Sequence, residues 1–298
     1  MRIAPALTVF FLFLIQLPVL PGGGAPPGPG YTIDADQLAD ILGSKDLVIL
    51  DARGPKAHRK GHIPGAIPVS WQGFAVTVGR PGSSKWGVAF APQELSGKFG
   101  ELGVDAATSV VVYGDPLGGR GEDGRFVWML LMLGVEKARI LNGGFPFWQG
   151  NGYPVSREKV DPVPVTFGDV IPVDGFTVDS KWVHQRLGSA RIVDSRTAME
   201  FNGSRKRGEA RGGHIPGAVL IPYLSLFRED GRLKTLGELK ALFETAGLEE
   251  DDEIAAYCTA GIRSSFMVLA LRMAGYGKAA NYDQSFFRWA ADKSLPVE

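Results

Sequence analysis

One segment of the chain combines a nucleophile with a loop suited to anion binding. Cys258 is the only cysteine among the 298 residues, and it opens the segment Cys-Thr-Ala-Gly-Ile-Arg-Ser-Ser over 258–265. The apolar run 254–257 before it is typical of a buried strand, and the apolar pattern over 266–273 is typical of a helix. The thiol is therefore expected at the tip of a strand, where the next helix begins.

This position favours a thiolate over a neutral thiol. The N–H groups of the loop and the helix dipole supply positive potential, and Arg263 adds a full charge. Together they predict a lowered pKa for Cys258 and a role as a nucleophile. The alternative interpretation, a small buried hydrophobic residue, gives no reason for a glycine, an arginine and two serines at the entrance of the helix.

The elements that position this loop occur twice in the sequence. The recurring pairs of segments, in the same order in both halves, are 47–53 with 191–196, 61–68 with 213–222, 110–113 with 254–257, and 145–148 with 286–289. Four ordered matches indicate a duplicated domain, and the period is too long for a solenoid.

Each half alternates strand-like runs with helical patterns, which predicts an α/β fold. We expect two domains, each with a parallel sheet flanked by helices on both faces. The predicted strands are 47–51, 109–113, 138–141, 191–194, 253–257 and 279–282, and the predicted helices are 34–42, 125–133, 179–187, 239–246 (after a capping box at 235–238) and 263–274. The predicted boundaries are an N-terminal domain at 26–152, an extended proline-containing linker at 153–172, and a C-terminal domain at 173–298.

The N-terminus has the pattern of an export signal. Arg2 precedes the apolar run 7–17, and small residues follow up to Ala25. This predicts a signal peptide over 1–25 and a location in the periplasm or cell envelope. Because Pro26 makes a poor cleavage junction, an uncleaved membrane tether stays open as an alternative. The formal net charge is zero, which indicates no nucleic-acid partner.

The cysteine loop, the two Asp-x-Arg segments and the two Gly-His-Ile-Pro-Gly-Ala segments together resemble the tandem rhodaneses, the thiosulfate/3-mercaptopyruvate sulfurtransferase family. The resemblance covers essentially everything after residue 30. It implies a catalytic C-terminal domain and a silent N-terminal one, and Gly114 indeed stands where Cys258 stands in the second half.

The resemblance also implies an activity. A sulfurtransferase of this kind moves sulfane sulfur from thiosulfate or 3-mercaptopyruvate to cyanide or a thiol, through a persulfide on Cys258. It needs no cofactor or metal, and it is expected to act as a monomer. A partner protein as sulfur acceptor stays open.

The loop itself supplies the first candidate site residues. Its backbone N–H groups can curl around an anionic persulfide, and Gly261 permits the positive φ that such a curl requires. The loop residues meant are Thr259, Ala260, Gly261, Ile262 and Arg263. Arg263 could face the pocket or brace the loop from behind.

The resemblance adds further candidates. It implies Arg196 as a substrate-binding arginine and Arg211 as a second one, whereas the basic run 205–207 is interpreted as a solvated turn. In mercaptopyruvate-type members, the residues matching Asp51 and His62 approach the active cysteine across the domain interface.

Structural interpretations compete for several of these residues. For His62, a loop-pinning role is an equal alternative, and the same role is favoured for His214. Asp194 can orient an arginine instead of doing chemistry, and Arg125 is interpreted as structural. Surface positions are expected for His58 and His184. Core packing is favoured over lining of the inter-domain cleft for Phe145, Phe147, Trp148, Phe286, Phe287 and Trp289.

Two other functions compete with sulfur transfer. A non-catalytic sulfur carrier or partner-binding module could use the same thiol. A cysteine-dependent phosphatase could use a similar loop, but Cys258 and Arg263 follow Cys-x4-Arg spacing instead of the larger Cys-x5-Arg of phosphatase loops. No acid to protonate a leaving oxygen is evident beside the loop.

Overall fold

A computed structural model describes residues 30–298 and contains two parallel sheets of five strands each. The first sheet comprises β1 (Thr32–Ile33), β2 (Leu47–Asp51), β3 (Ala66–Pro68), β4 (Ser109–Tyr113) and β5 (Ala138–Leu141). The second comprises β6 (Thr177–Val178), β7 (Arg191–Asp194), β8 (Val219–Leu220), β9 (Ile254–Tyr257) and β10 (Ala279–Tyr282). The strand orders are β1-β5-β4-β2-β3 and β6-β10-β9-β7-β8. Identical orders confirm the duplication.

Helices flank both sheets, which confirms the predicted fold class. Those of the first domain are α1 (Ala35–Ile41), α2 (Pro55–His58), α3 (Pro92–Glu101), α4 (Glu122–Met132) and α5 (Gly144–Gly150). Those of the second are α6 (Ser180–Gln185), α7 (Ala198–Phe201), α8 (Leu236–Thr245), α9 (Ile262–Met273) and α10 (Ser285–Ala291). Thr235 and Glu238 form the predicted capping box at the start of α8. The helices α2, α3, α5, α7 and α10 were not predicted.

The two domains pack together through α4 and α9. The helices approach closely at Gly124, where an added Cβ would lie 2.5 Å from the ring of Phe266. One buried apolar cluster contains residues of both domains, while the far face of each sheet has a smaller core of its own. Because α4 and α9 lie side by side, the loop before α4 is brought close to the loop that carries Cys258.

The segment 153–172 contains no helix or strand. It runs along the first domain, where Ser156 forms an isolated bridge with His62 and the Val165 N–H donates to the Gly100 carbonyl. The signal segment expected at 1–25 lies outside the described residues. Within residues 30–298, every helix is too short or too polar to cross a bilayer.

Candidate active site

Cys258 lies where the sequence places it, after β9 and before α9. β9 lies between β7 and β10 in the interior of the second sheet, so the loop begins from a rigid support. The residue is 2% exposed. It lines a pocket of about 270 Å³ between the two domains, so it is reached from this pocket and is not sealed in the core.

Gly261 is required by the backbone and by its neighbours. Its φ of 77° lies in the left-handed region, where it caps the N-terminus of α9. An added Cβ would collide with Asp283 and lie 2.9 Å from Nη1 of Arg125. Any larger residue would therefore displace the loop from Asp283 and from Arg125 of the first domain.

The loop lowers the pKa of the Cys258 thiol. Burial alone raises that pKa, but the charge of Arg263 and the nearby N–H groups of Ser264 and Ala260 outweigh burial. The net result is a pKa below the usual value of a thiol. The thiolate is the reactive form of cysteine, so the geometry supports a nucleophile.

Ser285 fixes the loop from the side of α10, and the sequence analysis missed it. Its hydroxyl accepts from the Cys258 N–H at 3.1 Å and donates to the Tyr282 carbonyl at 2.8 Å. Its φ is 52°, the only positive φ of a non-glycine residue within 30–298. The repeat contained a signal for it, because the matching residue of the first half is a glycine, Gly144, whose φ in the structure is 59°.

Arg263 braces the loop by pairing with Glu200 of α7. Both terminal nitrogens of the guanidinium donate to the carboxylate at 2.8 Å, and Nη2 also donates to Oγ1 of Thr259 at 2.8 Å. Burial raises the pKa of Glu200, but its bonds from Arg263 and Thr197 outweigh burial and hold the pKa well below the usual range. Sequence reasoning missed Glu200, although the capping box that it forms with Thr197 is visible in the sequence.

The structure does not bring Arg196 to the pocket. Its side chain is fully buried, donates to Asp194 through Nε and Nη2, and donates to the Gly213 carbonyl at 2.8 Å. Arg53 makes the same bonds with Asp51 and the Gly61 carbonyl in the domain without a cysteine. An arrangement present in both domains is structural, because only one domain has a nucleophile to serve.

Arg211 also lies away from the pocket. Its guanidinium donates to four backbone carbonyls at the end of α10 and just beyond, those of Trp289, Ala290, Asp292 and Leu295. These bonds satisfy carbonyls that the end of the helix leaves without partners. Arg211 therefore fastens the C-terminal segment and is not placed to bind a donor.

Asp51 and His62 do not reach Cys258. Both are buried in the first domain, where Asp51 accepts from Arg53 and lies 3.1 Å from Nδ1 of His58. The two ring nitrogens of His62 each lie 3.0 Å from a backbone carbonyl, those of His58 and Glu158. These contacts agree with the alternative in which the ring of His62 pins a loop.

The remaining histidines divide in the same way. His58 is 6% exposed and stacks on His62, so the expected surface position was wrong. His184 is exposed, as predicted. His214 stacks on Phe201 and bonds its carbonyl through Nδ1, which agrees with a role in holding a turn.

The first domain reaches the pocket through a different segment, the loop 79–87. Gly87 packs so closely on Ala260 that an added Cβ would lie 2.7 Å from the alanine methyl. Trp86 meets Phe287 edge to face at 5.8 Å, and Trp71 meets Trp86 at 5.4 Å. These rings form an apolar wall of the pocket, opposite the loop that carries Cys258. The core packing expected for Phe287 is confirmed, and the residue also lines the pocket.

Three further cations line the pocket. They are Arg120 from the loop before α4, and Lys206 and Arg207 from the run interpreted as a solvated turn. Arg120 and Lys206 are exposed, whereas Arg207 is half-buried and donates to Glu200 at 3.1 Å. Within residues 30–298, no carboxylate lines this pocket. Docking of the first domain adds only Arg120 to this group, whereas Lys206 and Arg207 come from a basic run that the sequence shows but that was interpreted as a solvated turn.

A pair of buried charges joins the domains beside the loop. Nη1 of Arg125 donates to Oδ1 of Asp283 at 2.6 Å, and its Nη2 donates to the Gly87 carbonyl at 2.7 Å. Oδ2 of Asp283 accepts from the Ala89 N–H at 2.8 Å. The predicted structural role of Arg125 agrees with these contacts, which hold the loop 79–87 against the cysteine loop.

The fold and site define a two-domain α/β protein in which one domain carries a nucleophilic cysteine in an amide-lined loop. The family model described as the rhodanese-like domain matches residues 34–151 and 179–292. The chain therefore belongs to the rhodanese family, in its tandem form.

Similar proteins and structures agree with this membership. The thiosulfate sulfurtransferase of Pseudomonas aeruginosa is 30% identical over 277 residues, which cover 89% of this chain and 96% of that protein. The 3-mercaptopyruvate sulfurtransferase of Escherichia coli K12 is 30% identical over 281 residues, which cover 90% and 98%. An anaerobic ergothioneine biosynthesis enzyme from Chlorobium limicola, solved with trimethyl histidine, has a TM-score of 0.81 at 24% identity, covers 90% of this chain and 70% of that chain, and shows the fold alone.

Proposed function

We propose that this chain is a sulfurtransferase that takes sulfane sulfur from thiosulfate or 3-mercaptopyruvate and passes it to cyanide or a thiol through a persulfide on Cys258. The observation that carries the proposal is the position of Cys258, whose thiol pKa Arg263 and the loop lower and which opens onto a pocket lined by cations. The names of the relatives support the same activity. They do not favour the carrier or phosphatase alternatives.

The loop can serve both steps of the reaction, the uptake of sulfur from the donor and its transfer to the acceptor. With thiosulfate, the Cys258 thiolate attacks the sulfane sulfur, a new S–S bond forms, and sulfite leaves with the electron pair of the broken bond. With 3-mercaptopyruvate, the Cys258 thiolate attacks the thiol sulfur, an S–S bond forms, and the enolate leaves with the electron pair of the broken C–S bond. The thiol proton ends on the carbon of that enolate, giving pyruvate. Cyanide or a thiolate then attacks the outer sulfur and releases the Cys258 thiolate. The N–H donors fit a sulfur anion at each stage.

Binding of the anionic donor is assigned to the cations at the pocket. The loop itself brings one cation, Arg263, and Glu200 already pairs with it. Arg120, Lys206 and Arg207 supply the positive charge that the loop lacks.

Replacing Lys206 with Ala is expected to raise KM for thiosulfate about three- to tenfold and to leave kcat nearly unchanged, because the lost attraction acts on bound donor and transition state alike. The matched control is Arg205→Ala, which removes a neighbouring exposed cation that lies outside the pocket. Steady-state kinetics at low ionic strength give the comparison. Equal KM values for the two variants would contradict the assignment.

Intact-mass measurement tests the persulfide and the donor together. The protein is exposed to thiosulfate or, separately, to 3-mercaptopyruvate. We expect a gain of one sulfur atom on Cys258 with the true donor, and its loss when cyanide is added. If neither donor adds sulfur, the proposed function is wrong.

We also propose that residues 1–25 direct export to the periplasm or cell envelope, on the basis of their basic start, apolar run and small residues. The mass of the protein recovered from the periplasmic fraction tests this. A mature N-terminus near residue 26 is expected, and a full-length protein in the cytoplasmic fraction would contradict it.

A further inference from the structure

Glu200 connects the elements that surround the reactive sulfur. Its Oε1 accepts from Thr259 Oγ1 at 3.0 Å and from Arg207 Nε at 3.1 Å, and both oxygens accept from Arg263 at 2.8 Å. The residue is 6% exposed, so water does little to screen its charge. The charge nearest to the charge of Arg263 is therefore a fixed carboxylate.

This contact has a consequence for the sulfur. The positive charge of Arg263 stabilises the Cys258 thiolate, and a carboxylate bonded to both ends of the guanidinium cancels much of that field. A strongly stabilised thiolate is also a weak nucleophile, since nucleophilicity falls as the thiol pKa falls. An unpaired arginine would give a more acidic but less reactive thiol.

We propose that Glu200 is a positioning residue that sets the reactivity of Cys258 by neutralising Arg263 and holding its guanidinium against Thr259. The persulfide then rests on backbone amides instead of a full cation, and its outer sulfur stays available to an acceptor. The importance of this for turnover rests on the sulfurtransferase function proposed above. The effect on the thiol does not.

Other charged groups surround the loop and are not substituted in the test, although Arg207 loses its charged partner along with Arg263. They are Lys206 and Arg207 on the loop after α7, Arg120 before α4, the Arg125–Asp283 pair at the domain interface, and the Asp194–Arg196 pair at the end of β7. Glu200 differs from them because it is the only carboxylate within residues 30–298 that pairs with Arg263.

The test is the pH dependence of Cys258 alkylation by iodoacetamide in Glu200→Gln. Glutamine keeps the shape and can still accept from Arg263, but it lacks the negative charge. We expect the thiol pKa to fall by about one unit, because a like charge near the thiolate is lost. The alkylation rate of the fully ionised thiolate should fall about threefold.

The chain offers a matched control in Glu238. Glu238 occupies the same position in the other Thr-x-x-Glu capping box, where it accepts from Thr235 and pairs with Arg228. Unlike Glu200, it lies in the exposed first turn of α8. Glu238→Gln should leave the alkylation profile unchanged. A purely structural role for Glu200 predicts an unchanged or raised thiol pKa in Glu200→Gln, because a loosened loop loses its N–H donors. A thiol pKa that is unchanged or raised in Glu200→Gln would overturn the proposal.

A double variant keeps the test decisive if Glu200→Gln alone does not fold. Glu200→Gln combined with Arg263→Met leaves no uncompensated buried charge. If Glu200 cancels Arg263, the thiol pKa of the double variant stays within about half a unit of the unaltered protein. A rise of about one unit or more would show that Arg263 acts uncancelled. Alkylation needs no sulfur donor, so failure here would leave the proposed sulfur transfer standing.

Discussion

Replacing Cys258 with Ser is expected to abolish sulfur transfer, with a loss of more than about a thousandfold in kcat/KM. A serine hydroxyl stays protonated near neutral pH and cannot form a persulfide. Cys258 is the only cysteine, so no second thiol in the chain can replace it. The measurement is thiosulfate:cyanide and 3-mercaptopyruvate transfer at saturating donor.

The fold of this variant should survive. Serine is close to cysteine in volume, and the backbone bonds around it involve main-chain atoms or Ser285, such as the Phe286 N–H that donates to the Cys258 carbonyl at 3.1 Å. Unchanged circular dichroism and thermal unfolding are the controls. Activity retained in a folded Cys258→Ser protein would refute the persulfide mechanism.

Replacing Arg125 with Ala is expected to lower the free energy of unfolding by about 3–5 kcal/mol, because the carboxylate of Asp283 would stay buried without its partner. Arg125 is fully buried and Asp283 is 6% exposed. Activity should fall as well, since the same pair holds Gly87 against the cysteine loop. Urea unfolding followed by fluorescence gives the first quantity.

Two further variants separate the charge effect from general damage. Arg186→Ala breaks an exposed pair with Glu253 and should cost less than about 1 kcal/mol. The double variant Arg125→Met with Asp283→Asn removes both buried charges and should recover part of the lost stability. Equal losses for Arg125→Ala and Arg186→Ala would show that the interdomain pair does not stabilise the protein.

The two halves show how a duplicated domain can lose its chemistry and keep a part in the site. Gly114 replaces the nucleophile, and Gly144 takes the left-handed conformation that Ser285 takes in the second half. The backbone bonds match as well, because the Phe145 N–H donates to Gly114 as the Phe286 N–H donates to Cys258. The first half therefore keeps the backbone arrangement around the loop without the thiol. It also contributes Trp86 to the apolar wall of the pocket in front of Cys258.

Much of the architecture followed from local patterns in the sequence. Strand and helix periods and the Cys258–Arg263 spacing are local, because each depends on residues that lie near one another in the chain. The repeated segments need only a comparison of the sequence with itself. They were enough to predict two α/β domains and to place the cysteine between a strand and a helix. The left-handed Gly261 followed from the same segment.

The surroundings of the sulfur were decided by the tertiary structure. Glu200 and Arg263 are 63 residues apart and meet only after α7 and α9 have packed in one domain. Arg120 and Trp86 reach the pocket because α4 docks on α9. Arg196 does not reach it, because its buried guanidinium pairs with Asp194. Residue types and spacing can predict which groups could do chemistry. Which of them face the sulfur depends on how residues distant in the sequence pack: Glu200 pairs with Arg263 within the second domain, and docking of the first domain adds Arg120 and Trp86 to the pocket.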